Sequence, residues 1–312
     1  MGKYILKRVL LMIPVILGVV LLIFIIMSFT PGDPATLLLG ADATMEDILA
    51  MRTKLGLDKP LLVRYFDYIK NIVLHFDFGN SYTNSVPIKD EILHRFGYTL
   101  KVAFFSVLIA LAVGVPLGVT AAVNRGSWKD NTALTISLLG ISVPSFWLGL
   151  MMAILFALKL GWLPASGVGG FKYYVLPCLS VAFSGIASLT RQTRSSMLEV
   201  IRADYIVTAR AKGASERTVI YKHALRNALI PIVTQAGAIF GALLGGALVN
   251  EIIFGIPGIG SYMVTAIKGR DYPAVQGSTV LVAVAFGVVM LIVDIIYAFI
   301  DPRIRAQYKK GG

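Results

Sequence analysis

The sequence predicts an all-α protein that crosses a membrane six times, and three observations point to this fold class. Only 15% of the 312 residues are charged and 56% are hydrophobic, whereas soluble domains carry about 25% charged residues. Six stretches free of Asp, Glu, Lys and Arg approach or exceed the length of about 20 residues with which a helix crosses the hydrocarbon core. The basic residues lie mostly beside these stretches. This composition excludes a soluble enzyme and a disordered chain.

The six charge-free stretches define the predicted spans. They are Val9–Gly32, Val102–Asn124, Asn131–Leu158, Tyr173–Thr190, Asn227–Asn250 and Tyr272–Val293. The last is expected to continue to Ile300, which places Asp294 inside a span. Two shorter apolar runs, Leu160–Phe171 and Ile252–Ile267, are broken by Gly and Pro and predict interfacial or re-entrant segments. The first stretch is longer than the apolar core of a signal peptide, about 7–15 residues, and is therefore expected to remain as a span.

These spans divide the chain into four regions. Residues 1–30 are expected to hold the N-terminal tail and first span, residues 31–101 an extracytoplasmic helical region, residues 102–300 the transmembrane core and residues 301–312 a cytoplasmic tail. The spans of the core are predicted at about 102–124, 131–158, 173–190, 227–250 and 272–300, with a cytoplasmic loop at 191–226.

The basic residues that flank the spans predict the orientation of the chain. With the N-terminus in the cytoplasm, the inner segments include Lys3, Lys7 and Arg8 and the eight basic residues of Arg191–Arg226. Nearly all of the net charge of +12 then lies on the cytoplasmic side, as the positive-inside rule requires. Both termini are predicted to be cytoplasmic. Because the charge is spread over loops beside the membrane instead of one face, membrane lipid is an expected partner and nucleic acid is not.

The cytoplasmic loop has the pattern of a helix, a tight turn and a second helix. Asp204 is predicted to cap a short helix over Tyr205–Lys212, and Gly213 to supply the left-handed residue that ends it. A second helix is expected to continue from the turn into the fifth span. The small side chains of Ala209 and Ala214 would allow another helix to approach the turn closely. A solvated basic loop would explain the charge, but it would not explain why a short helix ends sharply at Gly213.

The sequence lacks the residue combinations of the common catalytic and metal sites. No G-x-x-x-x-G-K-[ST] or H-E-x-x-H string occurs, and the three histidines lie outside the apolar runs. The single cysteine, Cys178, cannot form an internal disulfide. No catalytic residue, metal site or bound cofactor is therefore predicted, and an intramembrane protease is rejected. If ATP drives this protein, another polypeptide must hydrolyse it.

Polar residues inside the predicted spans have two interpretations. Ser142, Gln235 and Asn250 are candidates for the wall of a substrate path, or they hydrogen-bond between helices. Asp294 either pairs near the membrane interface or with another subunit, or serves a proton relay. Glycines at near-helical spacing from Gly237 to Gly246 predict a close helix contact, which is expected to involve another subunit.

Eight segments carry a resemblance to a known family. Ala203–Pro231 resembles the coupling loop of ABC importer permeases. The other segments are TPGDPA (Thr30–Ala35), LGLDKPLLVRY (Leu55–Tyr65), FDFGNS (Phe76–Ser81), SVPSFWLGL (Ser142–Leu150), LGWLPASG (Leu160–Gly167), VNEIIFGIPGIG (Val249–Gly260) and AFIDPRIR (Ala298–Arg305). Over nearly its whole length the chain resembles permease subunits of the dipeptide, oligopeptide and nickel importer family.

The resemblance implies a type I importer permease fold and a set of partners. These are a second homologous permease, two cytoplasmic ABC ATPase subunits that bind ATP and Mg, and an extracytoplasmic solute-binding protein. The ATPases would dock on the coupling loop in a bacterial or archaeal inner membrane. The residues assigned to this loop are Asp204, Tyr205, Ala209, Lys212, Gly213, Ala214, Glu216, His223 and Arg226.

The expected cargo is short peptides. Nickel and glutathione are the alternatives within the same importer class, because permeases for these cargos look alike. The alternative from another class is an ATP-independent secondary transporter, in which Asp294 would be the residue to test first.

Overall fold

The computed structural model describes residues 2–40 and 42–300, and most of these are helical. The predicted cytoplasmic tail, residues 301–312, lies outside the described residues. Within the described ranges the β-type pairing is an isolated bridge between Asn80 and Pro87. The prediction of an all-α fold is confirmed.

The helices follow one another with short connections. They are α1 (Gly2–Phe29), α2 (Pro34–Leu39), α3 (Met45–Lys54), α4 (Leu61–His75), α5 (Ile88–Val123), α6 (Trp128–Ser142), α7 (Ser145–Met152), α8 (Phe171–Ile201), α9 (Asp204–Ala211), α10 (Glu216–Thr218), α11 (Leu225–Leu244), α12 (Leu248–Ile253), α13 (Ile259–Lys268) and α14 (Tyr272–Ile300). A π-helical segment, Ala153–Lys159, extends α7, and a second, Val219–Ala224, joins α10 to α11 without a break.

Five helices in the described ranges are long and apolar enough to cross a membrane: α1, α5, α8, the joined α10–α11 and α14. The predicted third span, Asn131–Leu158, is not one helix, because α6 and the extended α7 meet at an angle of 94°. Pro144 stands at this bend. Its ring removes a backbone donor and disfavours helical geometry at the preceding residue, so the helix ends there.

The direction of the helices nevertheless requires a sixth crossing. Thr190 of α8 donates a hydrogen bond to the carbonyl of Gly114 in α5 at 3.2 Å, and Ser106 of α5 donates one to the carbonyl of Cys178 in α8 at 3.2 Å. Residue numbers rise together along both helices, so α5 and α8 run parallel. The chain between them must return across the membrane, and α6 with α7 makes that return.

Three predicted boundaries move, two because a helix extends beyond its charge-free stretch and one because a helix ends within it. α5 begins at Ile88, within the region predicted to be an extracytoplasmic loop, and α8 continues past Thr190 to Ile201. The fifth span ends at Leu244, well before Asn250, and Gly246 follows it with a φ of 101°. Charge-free runs mark the middle of a membrane helix, since its ends extend into water and tolerate charge.

α8 is the central helix of the bundle and packs against α5, α6, α7 and α11. Its contact with α5 is the closest. A Cβ on Gly114 would lie 2.8 Å from the carbonyl oxygen of Ile186, and one on Gly118 would lie 2.6 Å from that of Thr190. Glycine at these two positions therefore allows the two backbones to touch.

Asp294 pairs with Arg8 at the start of α1. The Arg8 Nε lies 3.0 Å from Asp294 Oδ2, and its Nη2 donates to Oδ1 at 3.0 Å. This ion pair joins α1 to α14 within the chain, as the prediction of a pairing near the membrane interface allows.

The glycines of α11 contact α14 of the same chain. Gly237 faces Val293, and a Cβ on Gly241 would lie 2.6 Å from the ring of Phe286. The prediction that these glycines face another subunit is wrong. Because α11 and α14 run antiparallel and α1 pairs with α14 through Arg8, the start of α1 and the end of α14 lie at the same end of the bundle as α9.

We expect Gly118→Ala to destabilise the protein, because the added methyl group must separate α5 from the backbone of α8. Overpacking of this kind costs about 1–3 kcal/mol. Thermal unfolding of the purified protein in mild detergent should show a lower apparent melting temperature.

The matched control is Gly97→Ala on the same helix, where nothing lies within 4 Å of the new Cβ. This control should leave the melting temperature unchanged or raise it slightly, because alanine favours the helix. Equal melting temperatures for the two variants would contradict the packing described for α5 and α8.

Candidate coupling element and translocation cavity

The coupling element comprises α9, the turn at Gly213 and α10. The N-cap of α9 is Ala203, so the prediction that Asp204 caps this helix is wrong. Asp204 instead lies in the first turn of α9, where its negative charge interacts favourably with the positive end of the helix dipole. Gly213 has a φ of 78° and ends the helix as predicted. Ser215 then accepts a hydrogen bond from the Thr218 amide and begins the helix that continues into the fifth span.

The buried side chain of Ile206 anchors the coupling element to the core of the bundle. Ile206 is fully buried and belongs to a cluster with Met197 of α8 and with Val219 and Ile220 at the start of the fifth span. The same cluster continues along α5 and α11. Displacement of α9 must therefore move α8 and α11, because a close-packed interior transmits strain.

An ion pair closes the turn on its exposed side. Arg210 donates to both carboxylate oxygens of Glu216, at 2.6 Å and 3.1 Å. This pair bridges the end of α9 and the start of α10, and bidentate geometry fixes their relative orientation. The turn is thus held by Ile206 on its buried face and by this ion pair on its solvent-exposed face.

The predicted coupling residues fall into an exposed group and a half-buried group. The exposed residues are Asp204, Tyr205, Lys212, Gly213, Glu216 and Arg226. The half-buried residues are Ala209, Ala214 and His223, of which the two alanines pack on the apolar cluster around Ile206. Val207, which the sequence did not single out, is 58% exposed beside Tyr205 at 47%. Tyr205 and Val207 lie about 100° to either side of the buried Ile206, so α9 exposes one apolar side chain on each side of this residue.

A buried ion pair ties α6 to α8. Asp130 is 1% exposed, and Arg194 donates to its two carboxylate oxygens at 2.6 Å and 2.8 Å. The Gly126 amide donates to the same carboxylate at 2.9 Å. Sequence reasoning missed this pair, although an acid at the first turn of one predicted span and an arginine just beyond another were its visible signal.

A polar cavity of about 580 Å³ lies between α6, α8 and α11. Its lining residues are Leu134, Ile141, Ser188, Arg191, Gln192, Arg194, Ser195 and Gln235. Gln235 comes from α11 and donates to the Ser188 hydroxyl at 3.1 Å. Most of the lining comes from α8, the central helix.

The three candidate path residues are not brought together. Gln235 lines the cavity, whereas Ser142 is exposed at the end of α6 and donates to the carbonyl of Leu138 at 2.8 Å. Asn250 is 3% exposed and donates to Ser145 of α7 at 3.1 Å. Asn250 is therefore a contact between α12 and α7 and does not line this cavity.

Near the other end of the bundle, Glu251 forms a buried hydrogen-bonded site. The Thr99 hydroxyl donates to Oε1 at 2.7 Å, and the Ser261 amide donates to Oε2 at 2.9 Å. Thr99 also accepts from the Ile259 amide at 2.9 Å, so its proton is committed to Glu251. Burial raises the pKa of Glu251, while these hydrogen bonds favour its ionised form. A Cβ on Gly258 would collide with the carboxylate, which explains one glycine of the segment at Val249–Gly260.

The fold and these sites define a membrane permease: a bundle of membrane-crossing helices with a polar cavity and an exposed helix–turn–helix, α9–α10, at one end. The chain matches two family descriptions, "Binding-protein-dependent transport system inner membrane component" over residues 114–306 and the corresponding N-terminal component over residues 1–103. The chain belongs to this family. It is the multi-span inner-membrane permease subunit of an ABC importer and a transport subunit, not an enzyme. Such permeases function with ATPase and binding-protein partners.

Relatives cover nearly the whole chain. The glutathione transport system permease protein GsiC of Salmonella typhimurium is 43% identical over 305 residues, which is 98% of this chain and 99% of the relative. A protein of Brucella abortus named as a peptide transport system permease is 43% identical over 313 residues, with the same coverage. An inward-facing structure of the MetNI methionine ABC transporter matches 68% of this chain and 96% of that chain, with a TM-score of 0.57 and 20% identity. The last likeness supports the fold.

We expect Glu251→Gln to destabilise the protein although the two side chains have the same shape. Both carboxylate oxygens accept hydrogen bonds, so the amide NH₂ of glutamine must face a donor. A buried group left unsatisfied in this way costs about 1–3 kcal/mol. The apparent melting temperature in detergent should fall.

Glu46→Gln, at an exposed position of α3, is the control and should leave the melting temperature unchanged. Thr99→Val removes one donor to the carboxylate and should lower it. A stable Glu251→Gln variant would mean that Glu251 donates a proton within its site, contrary to the hydrogen bonds described.

Proposed function

We propose that this permease imports short peptides, and glutathione, itself a tripeptide, is an alternative cargo. The observation that carries the cargo proposal is the identity of 43% over 98% of the chain with relatives named as glutathione and peptide permeases. The cavity supports it independently, because its hydroxyl, amide and guanidinium groups match the hydrogen-bonding atoms of a peptide. Nickel is the alternative cargo that is not a peptide.

We propose further that α9 and the Gly213 turn form the docking element for the ATPase. Tyr205 and Val207 are exposed apolar side chains on either side of Ile206 that a docked partner would cover, and aromatic residues are enriched in protein interfaces. Ile206 and the Arg210–Glu216 pair make the element rigid, so that it transmits a push to α8 and α11. These contacts are what a coupling helix requires.

The proposed assembly contains a second homologous permease, two ATPase subunits and an extracytoplasmic binding protein. ATP and Mg are assigned to the ATPases, and no cofactor is assigned to this chain. The orientation follows from charge: the bundle end that carries α9 also carries Lys7, Arg8 and most of the loop at 191–226. By the positive-inside rule we infer that this end is cytoplasmic, together with both termini, and that the region 31–101 lies outside.

We expect Gly213→Val to uncouple ATP hydrolysis from transport while the protein still inserts and assembles. A β-branched residue strains a φ of 78°, at a cost of about 1–3 kcal/mol, so the turn changes its shape. Uptake by proteoliposomes that contain the assembled complex should fall about tenfold or more. ATP hydrolysis should fall less or lose its dependence on the binding protein.

Gly56→Val is a matched control, since Gly56 has a φ of 67° and also has nothing within 4 Å of a new Cβ. It introduces the same strain in the turn that follows α3, outside the coupling element and the cavity. Uptake by this control should remain near that of the unmodified complex. Equal losses in the two variants would contradict a special role for the Gly213 turn.

The cargo is tested by uptake of labelled dipeptides, tripeptides, glutathione and Ni²⁺ into proteoliposomes that contain the complex with its binding protein. We expect ATP-dependent accumulation of at least one peptide cargo, and competition among the peptides that the binding protein accepts. Accumulation of Ni²⁺ without peptide uptake would replace the cargo proposal with nickel. Peptide uptake that continues without ATP would contradict the coupling proposal.

A further inference from the structure

α8 carries a polar stripe along one face. Ser184, Ser188, Arg191, Ser195 and Glu199 follow each other at intervals of three or four residues, the spacing that places side chains on one face of a helix. The stripe is exposed or half-exposed, whereas α8 packs its other faces against α5, α6, α7 and α11. Burying these polar and charged groups in hydrocarbon is costly, so the stripe faces water or protein in the membrane.

The cavity on this stripe has two arginines with different surroundings. The charge of Arg194 is balanced by the bidentate contact with the buried Asp130. Arg191 is exposed, and within residues 2–40 and 42–300 it makes no ion pair. No Asp or Glu belongs to the cavity lining of the described residues. The cavity therefore has an uncompensated positive charge at Arg191.

The cavity residues around Arg191 carry uncharged hydrogen-bonding groups. Gln235 and Ser188 are hydrogen-bonded to each other across α11 and α8 at 3.1 Å, and Gln192 donates to Ser196 at 3.1 Å. Ser195 is exposed on the next turn. Guanidinium binds carboxylate through two parallel hydrogen bonds, and the neutral groups can accept or donate to an adjacent peptide unit.

We propose that Arg191 forms a carboxylate-binding subsite in the translocation cavity, with Ser195 and Gln235 as neighbouring hydrogen-bond partners. The subsite holds the terminal carboxylate of a peptide while the cargo crosses. Its preference for anions rests on the cavity alone, whereas the identification of the anion as a peptide rests on the proposed function.

The charge preference is tested first with a probe that needs no cargo. The complete complex is prepared with Cys178→Ser, which removes the one cysteine of the chain, and with S195C. Methanethiosulfonate reagents of negative and positive charge are then compared for their rates of modification at position 195. Arg191 lies one turn before position 195 and Glu199 one turn after it, so these two opposite charges together set the starting ratio of the rates. We expect R191Q to reduce the ratio of the negative to the positive reagent's rate about fivefold, because the negative charge of Glu199 then acts without the opposing charge of Arg191.

Arg191→Lys retains the charge and should keep the ratio of reagent rates. Lys129→Gln removes an exposed positive charge at the first turn of α6, outside the cavity lining, and should also keep it. A ratio that does not change in R191Q overturns the proposal. A ratio that falls equally in K129Q would assign the effect to the general surface charge and also overturn it.

Transport then tests the carboxylate. Uptake of a peptide with a free C-terminal carboxylate is compared with uptake of its C-terminal amide, in the unmodified complex and in R191Q. Because one binding protein delivers both peptides to both complexes, its own preference cancels in the comparison. We expect R191Q to reduce the preference for the carboxylate about tenfold, with R191K intermediate.

An unchanged preference in R191Q, or equal loss of both peptides, would overturn carboxylate binding by Arg191. The two proposals fail in different ways. If the unmodified complex transports no peptide but R191Q still alters the reagent ratio, the peptide cargo is wrong and the anion subsite stands. If peptides are transported and neither measurement responds to R191Q, the subsite is wrong and the peptide cargo stands.

Discussion

The close packing of α5 on α8 is the constraint on which the rest of the structure depends. Gly114 and Gly118 bring the two backbones into contact, and without a hydrophobic effect between helices in lipid, such packing is a main source of stability. Since α8 also contacts α6, α7 and α11, its position sets theirs. The polar cavity and the anchor of the coupling element are consequences of where α8 lies.

Hydrogen bonds and ion pairs between distant segments complete this arrangement. Each one satisfies a polar group that would otherwise be exposed to a low dielectric, and each joins two helices. The four principal contacts are Arg8–Asp294, Thr99–Glu251, Asp130–Arg194 and Ser145–Asn250. They lie outside the cavity wall except at Arg194, which leaves the charge of Arg191 as the distinctive feature of that wall.

Much of the fold could be predicted from sequence, because charge-free runs locate the middle of each membrane helix. The ends could not, since residues such as those of α8 beyond Thr190 remain helical after the charges begin. The Gly213 turn was visible as a local signal. The contacts of Asn250 and Asp294 were not visible in this way, because a polar residue in a span forms hydrogen bonds with residues distant in sequence, which local spacing does not encode. The cavity required three helices to be placed together.

The shortness of α6 has a consequence for how the chain crosses the bilayer. Its 15 residues measure about 22 Å, whereas the hydrocarbon core is about 30 Å thick. Because α6 and the extended α7 make this crossing together, the second helix must supply the remaining depth in spite of the bend at Pro144. The chain therefore changes direction inside the membrane, and the exposed Phe146 and Trp147 beside the bend contact lipid or another subunit there.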